Sequence, residues 1–348
     1  ECISKVIDLG TDQASVVSFF PVLLEALNAA IQQQVTFWAM HDIGENIQAY
    51  LAKYAANIQE QASPLMQVLF QAVHSPDIYA NDALIPLGMA TLHYPSLLVA
   101  TPNASEDLLK TIAAFLEDPQ NSQSVYNASM TLSFVVMAAG NIKGATAETN
   151  EMDFKASQVL SQLLSQTIPH FFQLLLPVIA NFDIQSDARS SSIGCIASLV
   201  DYQPELILPV LDEIIKFIRT FTGLEALAIS VHEDKREGQL LLDNLAKCIL
   251  SIMKAVGLPK AMEYKDIAYN IILTLSSMNE NEESIISRLM ITVIHLLMFL
   301  AQADNNYVLE IIEVNPEIGH LIINGASEES DLKEAKELLI LLGYQTEA

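Results

Sequence analysis

Residues 187–221 read DARSSSIGCIASLVDYQPELILPVLDEIIKFIRTF, and this stretch decides the fold class. Its second half has apolar residues three and four positions apart, which is the spacing of an amphipathic α-helix. Those residues are Leu206, Val210, Leu211, Ile214, Ile215 and Ile218. The first half contains small residues, which allow two helices to approach closely. They are Ser192, Gly194, Ala197 and Ser198. The stretch therefore predicts a pair of packed helices joined at Pro204.

The same two-helix pattern recurs along the chain. Residues 124–140, 243–257 and 286–303 are candidates for the first helix of further pairs. Successive first helices start roughly 45 to 60 residues apart, slightly more than the period of HEAT and armadillo repeats. A single pair cannot bury its apolar face, so neighbouring pairs must stack. The predicted fold is all-α, an α-solenoid superhelix of HEAT-type helix pairs. About seven or eight pairs would form one continuous array over residues 1–348.

Composition excludes several classes of protein. With 51% hydrophobic and 17% charged residues, the chain is not disordered, and 12 Gly and 13 Pro are few for a β-sandwich or barrel. The longest apolar run, residues 289–301, is shorter than the roughly 18 residues of a membrane span, so no membrane insertion is expected. The chain opens on Glu1 without an initiator Met or a signal-peptide core. We interpret it as a fragment of a longer cytosolic chain, or a processed product.

The charge is strongly negative and unevenly distributed. The 42 acidic and 17 basic residues give a net charge of −25, which argues against nucleic acid as a partner because phosphates would be repelled. Counted by segment, the net charge is −9 for residues 1–109, −4 for 110–188, −1 for 189–265 and −11 for 266–348. Such a surface favours a basic partner and would hold it less tightly as salt rises. The alternative is that the acids serve only solubility.

Two segments resemble a known family. Residues 305–342 are similar to the final repeat of the importin-β, or karyopherin-β, family of HEAT-repeat nuclear transport receptors. The matching positions are Val308, Leu309, Glu313, Pro316, Ile318, Leu321, Ile322, Ala335, Lys336 and Leu338. Upstream, Pro209, Asp212 and Glu213 occupy the Pro-x-x-Asp-Glu positions of an inner helix in that family. Where the family has a Trp in its last helix, Leu341 stands here.

The resemblance implies a function. The chain would be the C-terminal half of a nuclear import receptor, without the N-terminal half where the GTPase Ran mostly binds. Its acidic concave face would bind the basic segment of importin-α, or a basic cargo protein. Phe-Gly nucleoporins would bind in apolar clefts between outer helices, and Ran would release the cargo. The resemblance also implies a location in the cytoplasm and nucleus and at the nuclear pore.

Six carboxylates are candidate contacts for a basic segment, because they lie on helices interpreted as inner ones. They are Glu106, Asp107, Asp212, Glu213, Glu310 and Glu313. Each exposed contact with an Arg or Lys is weak, but contacts add along an extended groove. The alternative for each residue is structural, since acids in the first turn of a helix complement its dipole.

Patterns that would indicate catalysis are missing from the sequence. No GxGxxG, GxxxxGK[ST], GxSxG or HExxH occurs, so we expect no enzyme, no cofactor and no metal site. Cys2, Cys195 and Cys248 are widely separated, which predicts buried, reduced thiols. Two alternatives to a transport receptor stay open. One is a static HEAT scaffold subunit of a phosphatase or vesicle-coat assembly; the other is an all-α enzyme built on a toroid, which needs clustered His or acidic residues in a cavity.

Overall fold

The computed structural model describes residues 13–33, 37–75, 79–140, 151–181, 183–221, 235–277, 283–326 and 333–344. Helices account for nearly all of these residues, and none of them lies in a strand. The helices are paired and stacked, so the predicted α-solenoid of HEAT-type pairs is confirmed. The contacts between residues group the chain into two compact units, Glu1–Val178 and Ile179–Ala348. The predicted single array of seven or eight pairs stays a prediction.

The first unit is built around three helices that pack side by side. Its elements are α1 (Gln13–Ser18), α2 (Phe20–Gln33), α3 (Phe37–Tyr54), a 3₁₀ segment (Ala55–Gln61), α4 (Ala62–Val73), α5 (Tyr79–His93), α6 (Pro95–Ala100), α7 (Ala104–Leu116), α8 (Ser122–Gly140) and α9 (Glu151–Ala180). Helices α3, α5 and α8 form a first layer, with α5 in the middle. Helix α4 packs on α5 and α7 packs on α8, which forms the second layer.

The second unit repeats this arrangement. Its elements are α10 (Ser186–Tyr202), α11 (Pro204–Ile207), a 3₁₀ segment (Leu208–Val210), α12 (Leu211–Phe221), α13 (Lys235–Val256), α14 (Leu258–Ala261), a 3₁₀ segment (Met262–Tyr264), α15 (Lys265–Ser277), α16 (Glu283–Ala303), α17 (Asn305–Val314), α18 (Pro316–Ala326) and α19 (Lys333–Leu341). Helices α10, α13, α16 and α19 pack in sequence as the first layer. Helices α15, α17 and α18 pack against that layer and form the second layer. All four segments predicted to start a pair are first-layer helices: α8, α10, α13 and α16.

Hydrogen bonds between the first-layer helices of successive repeats show how many residues one repeat contains. Asn127 Nδ2 donates to Asn81 O at 2.9 Å, a separation of 46 residues. Asn244 Nδ2 donates to Ser190 Oγ at 2.7 Å across 54 residues, and Thr292 Oγ1 donates to Asp243 Oδ1 at 2.6 Å across 49. Since these polar groups lie between packed helices, each must find a partner in the adjacent repeat. The period agrees with the spacing predicted from the sequence.

One local prediction needs correction. The helix expected from Leu206 onward is interrupted, because Pro209 lies in a 3₁₀ segment between α11 and α12. Proline lacks the N–H that a continuous α-helix would use. The prediction that small residues let α10 approach a neighbouring helix agrees with its extensive packing on α13. At Gly194 itself a Cβ atom would have only Asn244 Nδ2 near it, at 3.8 Å, and a tighter glycine contact is at Gly88.

Two helical stretches are long and apolar enough to cross a membrane by length and composition, Ala14–Gln32 and Glu151–Ala180. The expectation of no membrane insertion considered only uninterrupted apolar runs, so it missed stretches in which Gln and Ser interrupt a high mean hydropathy. In α9, Leu160, Leu164, Ile168 and Leu175 are buried on one face. A single buried face is typical of a helix that packs against its neighbours in a solenoid.

Candidate functional site

Four of the six candidate carboxylates lie in the second unit, on two of its helices. Asp212 and Glu213 are in the first turn of α12, and Glu310 and Glu313 are one turn apart on α17. Helix α15 has side-chain contacts with both α12 and α17. We call the exposed side of α12, α15 and α17 the second-layer surface.

Helices α12 and α15 are joined by a two-pronged ion pair. Arg219 Nε donates to Asp266 Oδ2 at 2.9 Å, and Arg219 Nη2 donates to Asp266 Oδ1 at 3.1 Å. The same Nη2 also donates to Glu263 O at 3.1 Å. The hydrogen bond from Arg219 holds the pKa of Asp266 below its usual range, although partial burial opposes this. The planar guanidinium matches a carboxylate in this geometry, so the pair links α12 to α15 at the surface.

A groove of about 540 Å³ lies beside this ion pair. It is lined by Asp212, Ile215, Lys216, Arg219, Glu263 and Tyr264. Burial, more than any neighbouring charge, raises the pKa of Tyr264. The groove therefore combines an apolar floor with acidic and basic side chains at its rim. Of the six predicted carboxylates, Asp212 is the one that lines it.

Helices α15 and α17 meet through aromatic contacts. Lys265 Nζ lies 4.5 Å from the centroid of the Tyr307 ring. Asn315 Nδ2, just after α17, donates to Tyr269 Oη at 3.4 Å. Burial raises the pKa of Tyr307. The phenol of Tyr269 and the carboxylates of Asp266 and Glu310 raise this pKa further, because each is negative when deprotonated. These contacts place Glu310 and Asp266 around the same ring.

The exposed acids of the second unit differ from those of the first. Asp212, Glu213, Glu310 and Glu313 are exposed, and none has an ion-pair partner among the described residues. In the first unit, Glu106 and Asp107 lie in the first turn of α7 and share Lys110, at 3.8 and 3.9 Å. A carboxylate that already shares a lysine attracts a further cation less strongly. The two groups of predicted residues are thus not equivalent.

The first unit has a smaller cavity of about 350 Å³, and none of the predicted carboxylates lines it. Tyr94 lines it and donates from Oη to Ala55 O at 2.5 Å. Asp153 Oδ1, also in the lining, accepts from Ser96 N at 3.3 Å. Burial raises the pKa of Tyr94 to about 12. The contacts tie α6 to the 3₁₀ segment and to α9, which is a structural role.

The described residues contain two buried cysteines and no cluster of metal-binding side chains. Within those residues, no group of three or more His, Cys, Asp or Glu could hold a metal ion. Cys195 and Cys248 are buried and not joined in a disulfide, as predicted, and Cys2 lies outside the described residues. Burial raises the pKa of Cys248 to about 12, so it stays a thiol rather than a nucleophilic thiolate.

Sequence reasoning missed the residues that join the second-layer helices. These are Arg219, Tyr264, Lys265, Asp266 and Tyr307. The separation of Arg219 and Asp266, 47 residues, equals one repeat. A search for opposite charges one repeat apart would have found this pair. The Lys265–Tyr307 contact has no comparable signal, because Lys and Tyr are common on exposed helix faces.

Two solved structures share this fold. A crystal structure of importin beta in a polyethylene glycol condition matches 98% of this chain with 13% identity and a TM-score of 0.67. A second, in an ammonium sulfate condition, matches 99% with 15% identity and a TM-score of 0.61. This chain covers 40% and 39% of those importin beta chains, so it spans about two fifths of their length. No protein-family model and no curated protein matches the sequence.

Proposed function

We propose that this chain is part of a nuclear transport receptor of the karyopherin-β family, and that its second-layer surface binds a basic segment of importin-α or of a basic cargo protein. The proposal rests mainly on the exposure and pairing of four carboxylates, those of Asp212, Glu213, Glu310 and Glu313. All four are exposed, and none is neutralised by an ion pair within the described residues. The shared fold with importin beta and the net charge of −25 support it.

The binding mode follows from charge and spacing. Two carboxylate pairs on separate helices suit an extended or helical segment that carries several Arg or Lys residues. Each exposed contact contributes about 0.2–1 kcal/mol, so affinity comes from their sum. The apolar floor of the groove, Ile215 and Tyr264, would accept the aliphatic part of a long cationic side chain.

The direct test is binding of an Arg/Lys-rich peptide from the importin-α N-terminus to the 348-residue chain, at several salt concentrations. We expect binding that weakens as salt rises. The double variant Glu310→Gln/Glu313→Gln, and separately Asp212→Asn/Glu213→Gln, should each weaken it about two- to thirty-fold. The matched control is Asp183→Asn/Asp201→Asn, which removes two exposed acids of the same unit from outside this surface.

The outcomes separate the candidate functions. Equal losses in the control and test variants would mean that only net charge matters and that this surface is not the site. Absence of salt-sensitive binding by the unaltered chain would contradict the proposal and favour a HEAT scaffold subunit.

The proposal extends to two further partners and a location, on the basis of the family resemblance. Phe-Gly nucleoporins would bind between first-layer helices, and Ran would act mainly through the N-terminal half of a longer protein. The protein would then pass between cytoplasm and nucleus through the pore. Pull-down with a Phe-Gly repeat peptide, compared with a Ser-Gly peptide of equal length, tests the nucleoporin part without relying on the basic peptide.

A further inference from the structure

Among the cations of the second-layer surface, Lys265 lies against an aromatic ring. Lys265 is the first residue of α15, and its Nζ lies 4.5 Å from the centre of the Tyr307 ring on α17. A cation within about 6 Å of an aromatic face is attracted by the ring electrons. The backbone that carries the ring is anchored, because Tyr307 N donates to Asp304 Oδ1 at 3.2 Å in the N-terminal cap of α17.

The charges around this ring favour a cation. Asp266, beside Lys265 in sequence, is bonded to Arg219 through both carboxylate oxygens. Glu310 follows Tyr307 by three residues, is exposed, and has no ion-pair partner among the residues described. Arg219 therefore occupies the carboxylate of Asp266, and Lys265 occupies the ring of Tyr307. The carboxylate of Glu310 stays available to a partner.

We propose that Lys265 is an internal competitor: a Lys or Arg side chain of a basic partner binds between Glu310 and the face of Tyr307, and it must displace Lys265 to do so. This inference rests on the proposed function and identifies which part of the surface discriminates between partners. Arginine suits the site better than lysine, because a planar guanidinium can stack on the ring and pair with a carboxylate at the same time. A partner with a single cation loses a large share of its binding free energy when it displaces Lys265, whereas a partner with several cations loses a smaller share.

The expected cost of displacement is small and measurable. An exposed cation–π contact reduces affinity about two- to five-fold when it must be broken. Lys265→Gln should therefore raise the affinity for the Arg/Lys-rich importin-α peptide about two- to five-fold at physiological salt. The control is Lys254→Gln, which removes the same charge from an exposed position on first-layer helix α13. At that salt the Debye length is about 8 Å, so the control measures the effect of net charge.

A double-mutant cycle tests the role of the ring. Tyr307→Leu should weaken peptide binding, and Lys265→Gln should raise affinity much less in the Tyr307→Leu background than in the unaltered chain. Both variants change exposed or half-buried side chains, and helix content by circular dichroism checks that they fold. A peptide with every Arg replaced by Lys should bind less tightly to the unaltered chain.

The outcomes are distinct. If the unaltered chain binds the peptide but Lys265→Gln gains no more than Lys254→Gln, Lys265 is not a competitor. An equal gain from Lys265→Gln with and without Tyr307 also overturns the inference, since the ring would play no part. If the unaltered chain shows no salt-sensitive binding, the proposed function fails and this inference fails with it.

Discussion

Gly88 on α5 and Thr131 on α8 meet at their backbones: a Cβ atom on Gly88 would lie 3.0 Å from Thr131 Cα and 3.1 Å from its Cγ2. The same atom would lie 3.2 Å from Phe134 Cδ2. Two first-layer helices thus approach so closely that a methyl group does not fit without movement of the backbone. This contact sets the separation of two consecutive repeats in the first unit.

Gly88→Ala is expected to destabilise the chain. Overpacking lowers the free energy of unfolding by about 1–3 kcal/mol, and the better helix propensity of alanine raises it by up to about 1 kcal/mol. Urea unfolding followed by circular dichroism measures the change in midpoint. The control is Gly194→Ala within α10, where a Cβ atom would have ordinary contact with Asn244 Nδ2 at 3.8 Å. That variant should be neutral or more stable, and equal destabilisation by both would contradict the packing argument.

Thr292→Val should destabilise the second unit. Thr292 is 3% exposed and its hydroxyl donates to Asp243 Oδ1 at 2.6 Å, while Lys247 Nζ lies 2.6 Å from Asp243 Oδ2. Removing the hydroxyl leaves a buried carboxylate oxygen without that donor, which costs about 1–3 kcal/mol. The comparison is Thr111→Val, because the Thr111 hydroxyl bonds a carbonyl of its own helix, Asp107 O. A smaller loss for Thr292→Val than for Thr111→Val would show that the contact between repeats is not important for stability.

Asp82→Asn should change how stability depends on pH. Burial raises the pKa of Asp82, and His41, whose Nδ1 lies 3.3 Å from Asp82 Oδ1, only partly opposes this. The folded-state pKa then lies above the unfolded value of about 3.9, so this group favours the folded state most at low pH, and its contribution is lost as the pH rises through the folded-state pKa. Relative to the unaltered chain, Asp82→Asn should therefore gain stability as the pH rises above about 4.

The measurement for Asp82 is the difference in urea midpoint between variant and unaltered chain across that pH range. Asp42→Asn, a change at an exposed carboxylate of neighbouring helix α3, is the control. If the Asp82→Asn difference does not grow with pH, the carboxylate is not destabilised by its burial.

Tyr94→Phe should reduce stability and also remove an alkaline titration. The lost hydrogen bond to Ala55 O costs about 1 kcal/mol. Because burial raises the pKa of Tyr94 to about 12, its contribution is fully present below the unfolded value of about 10 and is lost as the pH rises toward 12. Unfolding at about pH 8 and about pH 11 measures both effects. Tyr344→Phe, at a ring that is 54% exposed, should change neither.

The candidate site was predictable only in part. Asp212, Glu213, Glu310 and Glu313 were identified from charge and helix position, and they lie on two helices of one unit. That they have no ion-pair partner among the described residues was not predictable, because pairing depends on which side chains from other helices come near. The sharing of Lys110 by Glu106 and Asp107 could have been anticipated, since helix positions three and four apart are neighbours.

The amino-acid sequence by itself determined the helices, their pairing and the period of the repeat. Each of these follows from apolar spacing and from breaks at proline, which act within one or two turns. The tertiary structure alone decided that Gly88 meets the backbone of α8 closely while Gly194 has space beside it, and that Lys265 lies over Tyr307. Such contacts join residues about one repeat apart through the angle and distance between packed helices. Those quantities depend on every side chain in the interface, so no local pattern specifies them.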